Sequence, residues 1–147
     1  GFLPLAEYAL LTAQRRHEPV SLAFVDLDRF KHINDTWGHE EGDRALIAIA
    51  DLMKAAFRES DILARQGGDE FIILFANTSR HDAAAAMETL SHNVARFNQQ
   101  AANPWQLAFS WGCVEYDPAS HPSLNALVAT ADRLMYQAKQ KQGRERR

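Results

Sequence analysis

The chain has 147 residues, of which 46% are hydrophobic and 24% charged, a composition ordinary for one globular domain with a full core. Its formal net charge of −3 excludes a protein that coats nucleic acid or anionic membrane through net positive charge. A single cysteine excludes an internal disulfide framework, and no apolar stretch is long enough to span a membrane. We therefore expect a cytoplasmic domain in a reducing compartment.

The chain begins with Gly1 rather than Met, and its first residues show no basic-then-apolar secretory pattern. No internal repeat and no linker long enough to divide the chain interrupts the sequence. We expect one domain over residues 1–147, excised from a longer parent protein that could itself be anchored to a membrane.

Apolar residues at three- and four-residue intervals predict a first helix over 2–17. Residues 20–28 are apolar, with β-branched and aromatic side chains, and predict a buried strand that ends in two aspartates. A short polar helix over 30–36 should end at Gly38, and a strongly periodic pattern predicts a long helix over 40–57.

Strand-forming residues stand on both sides of a glycine pair in the second half of the chain and predict a β-hairpin with its tip at the glycines. Beyond the hairpin, an alanine-rich helix, an alternating strand and a final helix complete the chain. The predicted ranges are strands over 62–66 and 71–76, a helix over 80–100, a strand over 105–116 and a helix over 124–140.

The resulting order of elements is α-β-α-α-β-β-α-β-α. Because a tight hairpin joins antiparallel strands, this order excludes an all-parallel sheet. We expect an α/β protein of the α+β kind, with a mixed, largely antiparallel central sheet flanked by helices.

Four acidic residues stand at predicted strand ends. Asp26 and Asp28 leave the same face of their strand, and Asp69 and Glu70 follow the glycines of the hairpin. If the hairpin lies beside the first strand, these carboxylates converge, and the sequence offers no obvious basic partner. A divalent cation that prefers oxygen ligands, Mg²⁺ or Mn²⁺, is the simplest compensation. The alternative is that Asp28 and Asp69 only cap a helix and close a turn.

The two glycines at the hairpin tip have their own interpretation. Gly67 and Gly68 lack Cβ atoms, so the turn can adopt positive φ and let a large anionic ligand approach the backbone closely. A plain turn is the alternative, because many hairpins use a glycine pair.

Several separated motifs resemble one family. Residues 67–71 read Gly-Gly-Asp-Glu-Phe, which resembles the motif that names the GGDEF family of diguanylate cyclases. The segment 26–39, with the sequence Asp-Leu-Asp-Arg-Phe-Lys-His-Ile-Asn-Asp-Thr-Trp-Gly-His, and the following residues 42–43 resemble the family's second block. Residues 131–139 resemble its C-terminal helix. The motifs occur in the family's order, and the resemblance covers almost the whole chain.

The resemblance implies a palm-like nucleotide cyclase with a ferredoxin-like core, which condenses two GTP molecules into cyclic di-GMP. In the family, each 3′-hydroxyl attacks the α-phosphate of the other nucleotide and releases pyrophosphate, a reaction that needs metal ions. Two Mg²⁺ or Mn²⁺ ions per active site are implied, held by Asp26, the Leu27 carbonyl and Asp69. Glu70 is implied as a further ligand or as the group that helps deprotonate the 3′-hydroxyl.

The resemblance also assigns the guanine base to Asn34 and Asp43, whose amide and carboxylate would match guanine and reject adenine. From the residues alone, Asn34 could equally cap a turn and Asp43 the long helix. The Phe30 and Lys31 backbone amides stand near a helix start and suit a phosphate, which the Lys31 side chain would help to neutralise.

Basic residues complete the implied sites. Lys139 resembles the family's triphosphate-binding lysine; the arginine that usually follows four residues later comes one residue late, as Arg144, unless Lys141 substitutes for it. Arg58 and Asp61 form the pattern Arg-x-x-Asp just ahead of the glycines. By resemblance they form an inhibitory site for the product, although a helix-end arginine and a turn aspartate would give the same pattern.

We predict a diguanylate cyclase domain that acts as a homodimer, because each site holds one GTP. By resemblance to the family, an upstream sensor domain brings the two copies together. The alternative is a catalytically weak module that serves as a receptor for GTP or cyclic di-GMP; the intact glycines and acids of the hairpin favour catalysis. A cyclase for another base is a third interpretation, against which Asp43 argues. No nucleic-acid partner is expected.

Overall fold

The computed structural model describes residues 1–145, with side chains described for residues 1–143. In this part of the chain five helices and four strands follow one another in the predicted order. They are α1 (Phe2–Arg16), β1 (Ser21–Leu27), α2 (Phe30–Trp37), α3 (His39–Ala56), β2 (Ile62–Arg65), β3 (Glu70–Phe75), α4 (Arg80–Gln100), β4 (Phe109–Glu115) and α5 (Leu124–Glu145).

The four strands form one sheet in the order β2-β3-β1-β4, with β1 between β3 and β4. Each of the three neighbouring pairs is antiparallel. The expectation of a largely antiparallel sheet flanked by helices is therefore confirmed, and within residues 1–145 the sheet contains no parallel pair. β2 and β3 pair across the glycine-containing turn, so the predicted hairpin is also confirmed.

Helices cover both faces of the sheet. On one face Ala23 and Val25 of β1 pack with residues of α3 and α4. On the other face Leu22 and Phe24 pack with residues of α1 and α5. Because successive strand residues point to opposite faces, a strand covered on both sides is apolar almost throughout. The polar side chains of β1 therefore stand at its two ends, Ser21 at the start and Asp26 near the carboxyl end.

The fourth strand is shorter than the alternation predicts, since it begins at Phe109 rather than at Trp105. The Asn98 side chain of α4 takes the place of a strand partner. Its Nδ2 donates to the Leu107 carbonyl at 2.7 Å, and its Oδ1 accepts from the Leu107 amide at 2.8 Å. Trp105 and Leu107 are nevertheless buried. The alternation of buried and exposed residues therefore predicts a strand in the segment before Phe109, although the backbone there hydrogen-bonds to the Asn98 side chain.

The final helix is longer than predicted and runs to Glu145 rather than to residue 140. Lys141 lies on the exposed side of this helix. Arg144 falls within the helix, but its side chain lies outside the described residues. Among the helices described, none combines the length and the apolarity that crossing a membrane would require.

Candidate active site

Strands β1 and β3 bring the predicted acids to one end of the sheet. In their antiparallel register Asp26 stands opposite Glu70, and the Leu27 amide donates to the Asp69 carbonyl at 3.1 Å. The hairpin therefore lies beside the end of β1, as the convergence of carboxylates requires. Asp26, Asp69 and Glu70 are all half-buried.

The negative charges of this cluster raise the pKa values of Asp69 and Glu70. Burial raises the pKa of Asp69, and a hydrogen bond shared with Asp26 and the charge of Asp26 raise it further. Burial also raises the pKa of Glu70, and three neighbouring negative charges add to the effect, those of Asp26, Asp132 and Asp69. The charge of Lys139 lowers both pKa values without cancelling the rise. Among the described residues, the cluster therefore carries more negative charge than the neighbouring Lys139 balances.

A lysine from α5 reaches the acids, so the expectation that they lack a basic partner is wrong. Lys139 Nζ lies 2.9 Å from Asp26 Oδ2 and 3.7 Å from Asp28 Oδ1. Lys139 and Asp26 are 113 positions apart in the chain, so a local sequence pattern cannot predict that they form a pair. The lysine side chain stays 34% exposed, and its single charge cannot neutralise four carboxylates.

Asp28 is buried and does not cap a helix, so the capping alternative is wrong. The N-cap residue of α2 is Arg29, and no side chain caps that helix. Asp28 Oδ1 instead accepts a hydrogen bond from the Ser110 hydroxyl of β4 at 2.7 Å. Sequence reasoning missed Ser110. The signal that would have found it is the β1–β4 register, which places Ser110 opposite Asp26 and cannot be seen in the sequence.

The donor groups fit a divalent cation by their chemistry. Oδ1 of Asp26 is buried and has no hydrogen-bond partner among the described residues, which is costly for a carboxylate oxygen. Carboxylate and carbonyl oxygens are the ligands that Mg²⁺ and Mn²⁺ prefer. Within the described residues, however, no three Asp, Glu, His or Cys side chains already form a group that could hold an ion. The acids are gathered around a lysine rather than arranged as ligands.

Close contact explains the first glycine of the pair, whereas neither contact nor backbone strain requires the second. Neither Gly67 nor Gly68 has φ in the left-handed region, so the positive φ that the sequence allows is not used. A Cβ atom at Gly67 would lie 2.9 Å from Glu70 Oε1, whereas one at Gly68 would meet nothing within 4 Å. Arg65 holds the turn, since its Nη2 donates to the Gly68 carbonyl at 2.6 Å. Gly67 makes room for Glu70, and Gly68 leaves open space at the turn.

The start of α2 lies directly after Asp28 and presents backbone amides. Its N-cap residue Arg29 has φ of 58°, and no side chain caps the amides that follow. Phe30 and Lys31 supply two of these amides, and the Lys31 side chain is exposed. Amides at a helix start carry partial positive charge and attract anions, so this turn suits a phosphate group.

The residues expected to bind guanine lie on neighbouring helices. Asn34 of α2 approaches Gly42 of α3 so closely that a Cβ atom at residue 42 would overlap Asn34 Oδ1. Asp43 follows Gly42 and is exposed. Because α3 begins at His39, Asp43 lies inside the helix and does not cap it. The capping alternative is therefore wrong for Asp43.

Comparison with known proteins agrees with these observations. A family model described as "Diguanylate cyclase, GGDEF domain" matches residues 2–146. The chain belongs to the GGDEF family.

Named relatives and solved structures of this family are similar to the GGDEF chain. Diguanylate cyclase DosC of Escherichia coli strain K12 is 35% identical over 146 residues, which cover 99% of this chain and 32% of DosC. The chain thus spans about a third of the length of this curated relative. The active GGEEF domain of a Vibrio cholerae diguanylate cyclase superposes with a TM-score of 0.81 at 28% identity, covering 91% of this chain and 85% of that one.

A third similar structure holds a ligand. The GGDEF domain of DgcB from Caulobacter crescentus, solved in complex with c-di-GMP, superposes with a TM-score of 0.82 at 27% identity. The match covers 91% of this chain and 80% of that chain. The α+β fold expected from the sequence is therefore the fold of solved GGDEF domains.

The GGDEF chain also brings Arg58 and Asp61 together, ahead of β2. Arg58 Nη2 lies 3.3 Å from Asp61 Oδ1, and the Arg58 amide donates to Asp61 Oδ2 at 2.9 Å. The same Nη2 donates to the Ala76 carbonyl at 2.7 Å and to the Thr78 hydroxyl at 2.6 Å. The Asp61 side chain is 4% exposed, whereas that of Arg58 is 58% exposed. One nitrogen of the guanidinium is tied into the fold, and much of the group faces solvent.

Proposed function

We propose that this GGDEF domain is a diguanylate cyclase, which condenses two GTP molecules into one cyclic di-GMP and two pyrophosphates. The observation that carries the proposal is the convergence of Asp26, Asp69 and Glu70 at one end of the sheet, beside the uncapped start of α2. Clustered carboxylates suit metal-bound phosphates, and free helix amides suit further phosphate oxygens. The name of the relative DosC supports the same chemistry.

In the proposed site Asp26 and Asp69, together with the Leu27 carbonyl, would hold two Mg²⁺ or Mn²⁺ ions, with Glu70 as a further ligand or as the base. Ions held there would act as Lewis acids, which would stabilise negative charge on phosphate and favour the ionised form of an attacking hydroxyl. The raised pKa values of Asp69 and Glu70 support the assignment, because a divalent charge relieves repulsion among neighbouring carboxylates. Asp26 also offers an oxygen without a hydrogen-bond partner.

The protein's own groups hold and orient the nucleotide. The triphosphate is bound by the amides of Phe30 and Lys31 and by the ammonium groups of Lys31 and Lys139. Lys139 already stands in the acid cluster. The guanine edge is bound by Asn34 and Asp43, which accept from its donors and serve its acceptors.

Glu70 receives the proton of the 3′-hydroxyl, or it serves as a further ligand. Its raised pKa, caused first by burial, makes it a stronger base than an exposed glutamate. The 3′-oxygen forms a bond to the α-phosphorus of the second GTP while the bond from that phosphorus to pyrophosphate breaks. A second step of the same kind closes the ring. The open space at Gly68, next to Gly67, lets the phosphates approach the turn.

The active unit is a homodimer, because each domain holds one GTP and each 3′-hydroxyl must reach the nucleotide of the other domain. Pairing takes place in the cytoplasm, where GTP is present, under the control of an upstream sensor domain. The chain aligns with only 32% of DosC, so that relative contains further sequence in which such a domain can lie.

Arg58 and Asp61 form the proposed inhibitory site for the product. The exposed part of the Arg58 guanidinium can stack on guanine and bond to its O6/N7 edge. The complex of the Caulobacter DgcB domain with c-di-GMP supports recognition of this nucleotide by the fold. The same cluster supports a second candidate function, in which a catalytically weak domain serves as a receptor for GTP or cyclic di-GMP.

Incubation with GTP and Mg²⁺, followed by chromatography and mass spectrometry, tests the proposal. The protein is used at a concentration at which light scattering shows a dimer. We expect cyclic di-GMP, with two pyrophosphates released for each molecule formed. Binding of cyclic di-GMP without any turnover would favour the receptor and contradict the cyclase.

Two variants place the reaction at the acid cluster. Asp69→Ala and Glu70→Ala should each lower turnover by about a hundred-fold or more, because each removes a ligand or a base from the reacting centre. Glu88→Gln, on the exposed side of α4, is the matched control and should keep wild-type turnover. Wild-type turnover in Glu70→Ala would contradict the role proposed for Glu70.

A further inference from the structure

The carboxylate of Asp28 lies at the acid cluster but has no role in the reaction proposed above. Only 6% of its side chain is exposed, and within residues 1–143 its Oδ2 has no hydrogen-bond partner. A buried charge persists only where an opposite charge or strong hydrogen bonds compensate its lost hydration. The groups around Asp28 show which contacts offset the burial of its charge and which neighbour it can hold in place.

Ser110 fixes the orientation of Asp28. The Ser110 hydroxyl is buried and donates to Asp28 Oδ1 at 2.7 Å. The Asp28 amide donates to the Ala108 carbonyl at 2.8 Å, so the β4 segment holds both the backbone and the side chain of Asp28. The same hydroxyl lies 3.2 Å from Gln142 Oε1 of α5, about one turn beyond Lys139. One serine therefore stands between the end of β1 and the part of α5 that carries the lysine.

The Lys139 ammonium lies between two carboxylates that have different roles. Its Nζ is 2.9 Å from Asp26 Oδ2 and 3.7 Å from Asp28 Oδ1. Asp26 is the proposed metal ligand, so a divalent cation on its carboxylate competes with the ammonium for the same oxygens. Once Asp26 is engaged, Asp28 is the carboxylate that still faces Lys139 from a fixed position.

We propose that Asp28, held by Ser110, is a positioning residue that keeps the Lys139 ammonium beside the triphosphate when Asp26 is engaged by a metal ion. Lys139 then leaves Asp26 and contacts phosphate oxygens on one side while Asp28 holds it on the other. Asp28 has this role only if the proposed function holds. It acts through Lys139 and not as a ligand of the metal.

A double-mutant cycle tests whether Asp28 acts through Lys139. The variants are Asp28→Asn, Lys139→Met and their combination. The probe is guanosine 5′-[α,β-methylene]triphosphate with Mg²⁺, which cannot release pyrophosphate, and its affinity is measured by titration calorimetry. Asp28→Asn should weaken binding about ten-fold when Lys139 is present and less than about two-fold in the Lys139→Met background, because coupled neighbours are not additive.

Two further variants serve as a control and as a substitute in the double-mutant cycle. Asp51→Asn changes an exposed acid of α3 and is the matched control, which should bind the probe as the wild type does. Ser110→Ala should show the same dependence on Lys139 with a smaller loss of affinity. Circular dichroism checks that each variant folds, and if Asp28→Asn does not fold, Ser110→Ala is used in its place in the cycle.

The outcomes separate this inference from the proposed function. Equal losses of affinity in both backgrounds, or no loss in either, would overturn the inference, because Asp28 would then act as a metal ligand or in the fold alone. Probe binding by the wild type together with additive losses would leave the proposed function standing. Failure of the wild type to bind the probe would overturn the proposed function and the role of Asp28 with it.

Discussion

Two charged clusters in this domain are built in opposite ways. At the end of β1, four carboxylates gather near Lys139, and the pKa values of Asp69 and Glu70 are raised. Two buried carboxylate oxygens there have no hydrogen-bond partner in the described part of the chain. Ahead of β2, Arg58 meets the single carboxylate of Asp61, and one guanidinium nitrogen contacts three acceptors within the fold. In the acid cluster the negative charges outnumber the positive charge of Lys139, whereas in the Arg58 cluster one positive charge faces one negative charge.

This difference indicates how each cluster would take a ligand. An excess of partly buried negative charge is relieved by a divalent cation, so the acid cluster should bind by completing its charge. A balanced pair gains little from a further ion, so the Arg58 cluster should bind through stacking and the exposed part of the guanidinium. Mutations near the acids should therefore have the larger effects on substrate, and mutations at Arg58 should act on the product.

Of the substitutions outside the acid cluster, Gly42→Ala should have the largest effect on the substrate while leaving the Arg58 cluster untouched. A Cβ atom at residue 42 would overlap Asn34 Oδ1, so Asn34 must turn away from the guanine edge that we propose it binds. We expect the KM for GTP to rise by about ten-fold or more, because a site built to hydrogen-bond its substrate discriminates strongly when the bond is lost. The product concentration needed for half-inhibition should stay the same. Steady-state kinetics measures both quantities.

Gly143→Ala is the matched control for that substitution. A Cβ atom at Gly143 would meet nothing within 4 Å. The variant should leave the KM unchanged and change the stability little, because Gly143 lies in the last described turn of α5. A Gly42→Ala protein with the wild-type KM would show that Asn34 takes no part in recognising the base.

Arg58→Ala should affect the other cluster. We expect inhibition by cyclic di-GMP to weaken about five- to ten-fold, because the stacking and base-edge contacts of the guanidinium are lost. The Thr78 hydroxyl also loses its donor, and the Ala76 carbonyl keeps only the bond from that hydroxyl, so the free energy of unfolding should fall by about 1 kcal/mol. Inhibition curves and denaturant unfolding measure the two effects. Arg96→Ala, at an exposed site on α4, should change neither, and unchanged inhibition in Arg58→Ala would place the product elsewhere.

The smallest expected effect is a pH dependence of stability that is confined to the acid cluster. In the metal-free protein the pKa values of Asp69 and Glu70 lie above their ordinary values, so the folded state holds these protons more tightly than the unfolded chain does. Their contribution to stability is present below the ordinary carboxyl pKa and is lost as the pH rises through the raised values. In chelator, the Tm of Asp69→Asn minus that of the wild type should therefore increase with pH. A difference that is constant with pH would contradict the unbalanced charge.

The helices and strands could be predicted because their signals are local. β1 is apolar on both faces, and the helices repeat their apolar residues every three or four positions, so a window of about a dozen residues decides each assignment. All nine predicted elements occur in order, and most boundaries differ by no more than one residue. The predicted start of β4 is wrong by four residues. The alternation of side chains assigns the segment before Phe109 to the strand, whereas its backbone hydrogen-bonds to Asn98 of α4.

The acids of the site could also be predicted, whereas their partners could not. Motifs and strand ends indicate Asp26 and the hairpin acids, but Lys139 meets Asp26 from 113 residues away. Ser110 reaches Asp28 through the register of β1 with β4, and a sequence pattern does not specify register between distant strands. Helical periodicity places α5 on the sheet without deciding which polar residue faces which carboxylate.

Binding of Mn²⁺ in the presence of the methylene analogue of GTP, followed by electron paramagnetic resonance, tests most directly whether Asp26 and the hairpin acids share a cation. We predict that Asp26→Asn and Asp69→Asn each weaken Mn²⁺ binding about ten-fold or more, and that the double variant is little weaker than either, because both residues serve one ion site. Wild-type Mn²⁺ affinity in both single variants would contradict the shared site and the reaction proposed on it.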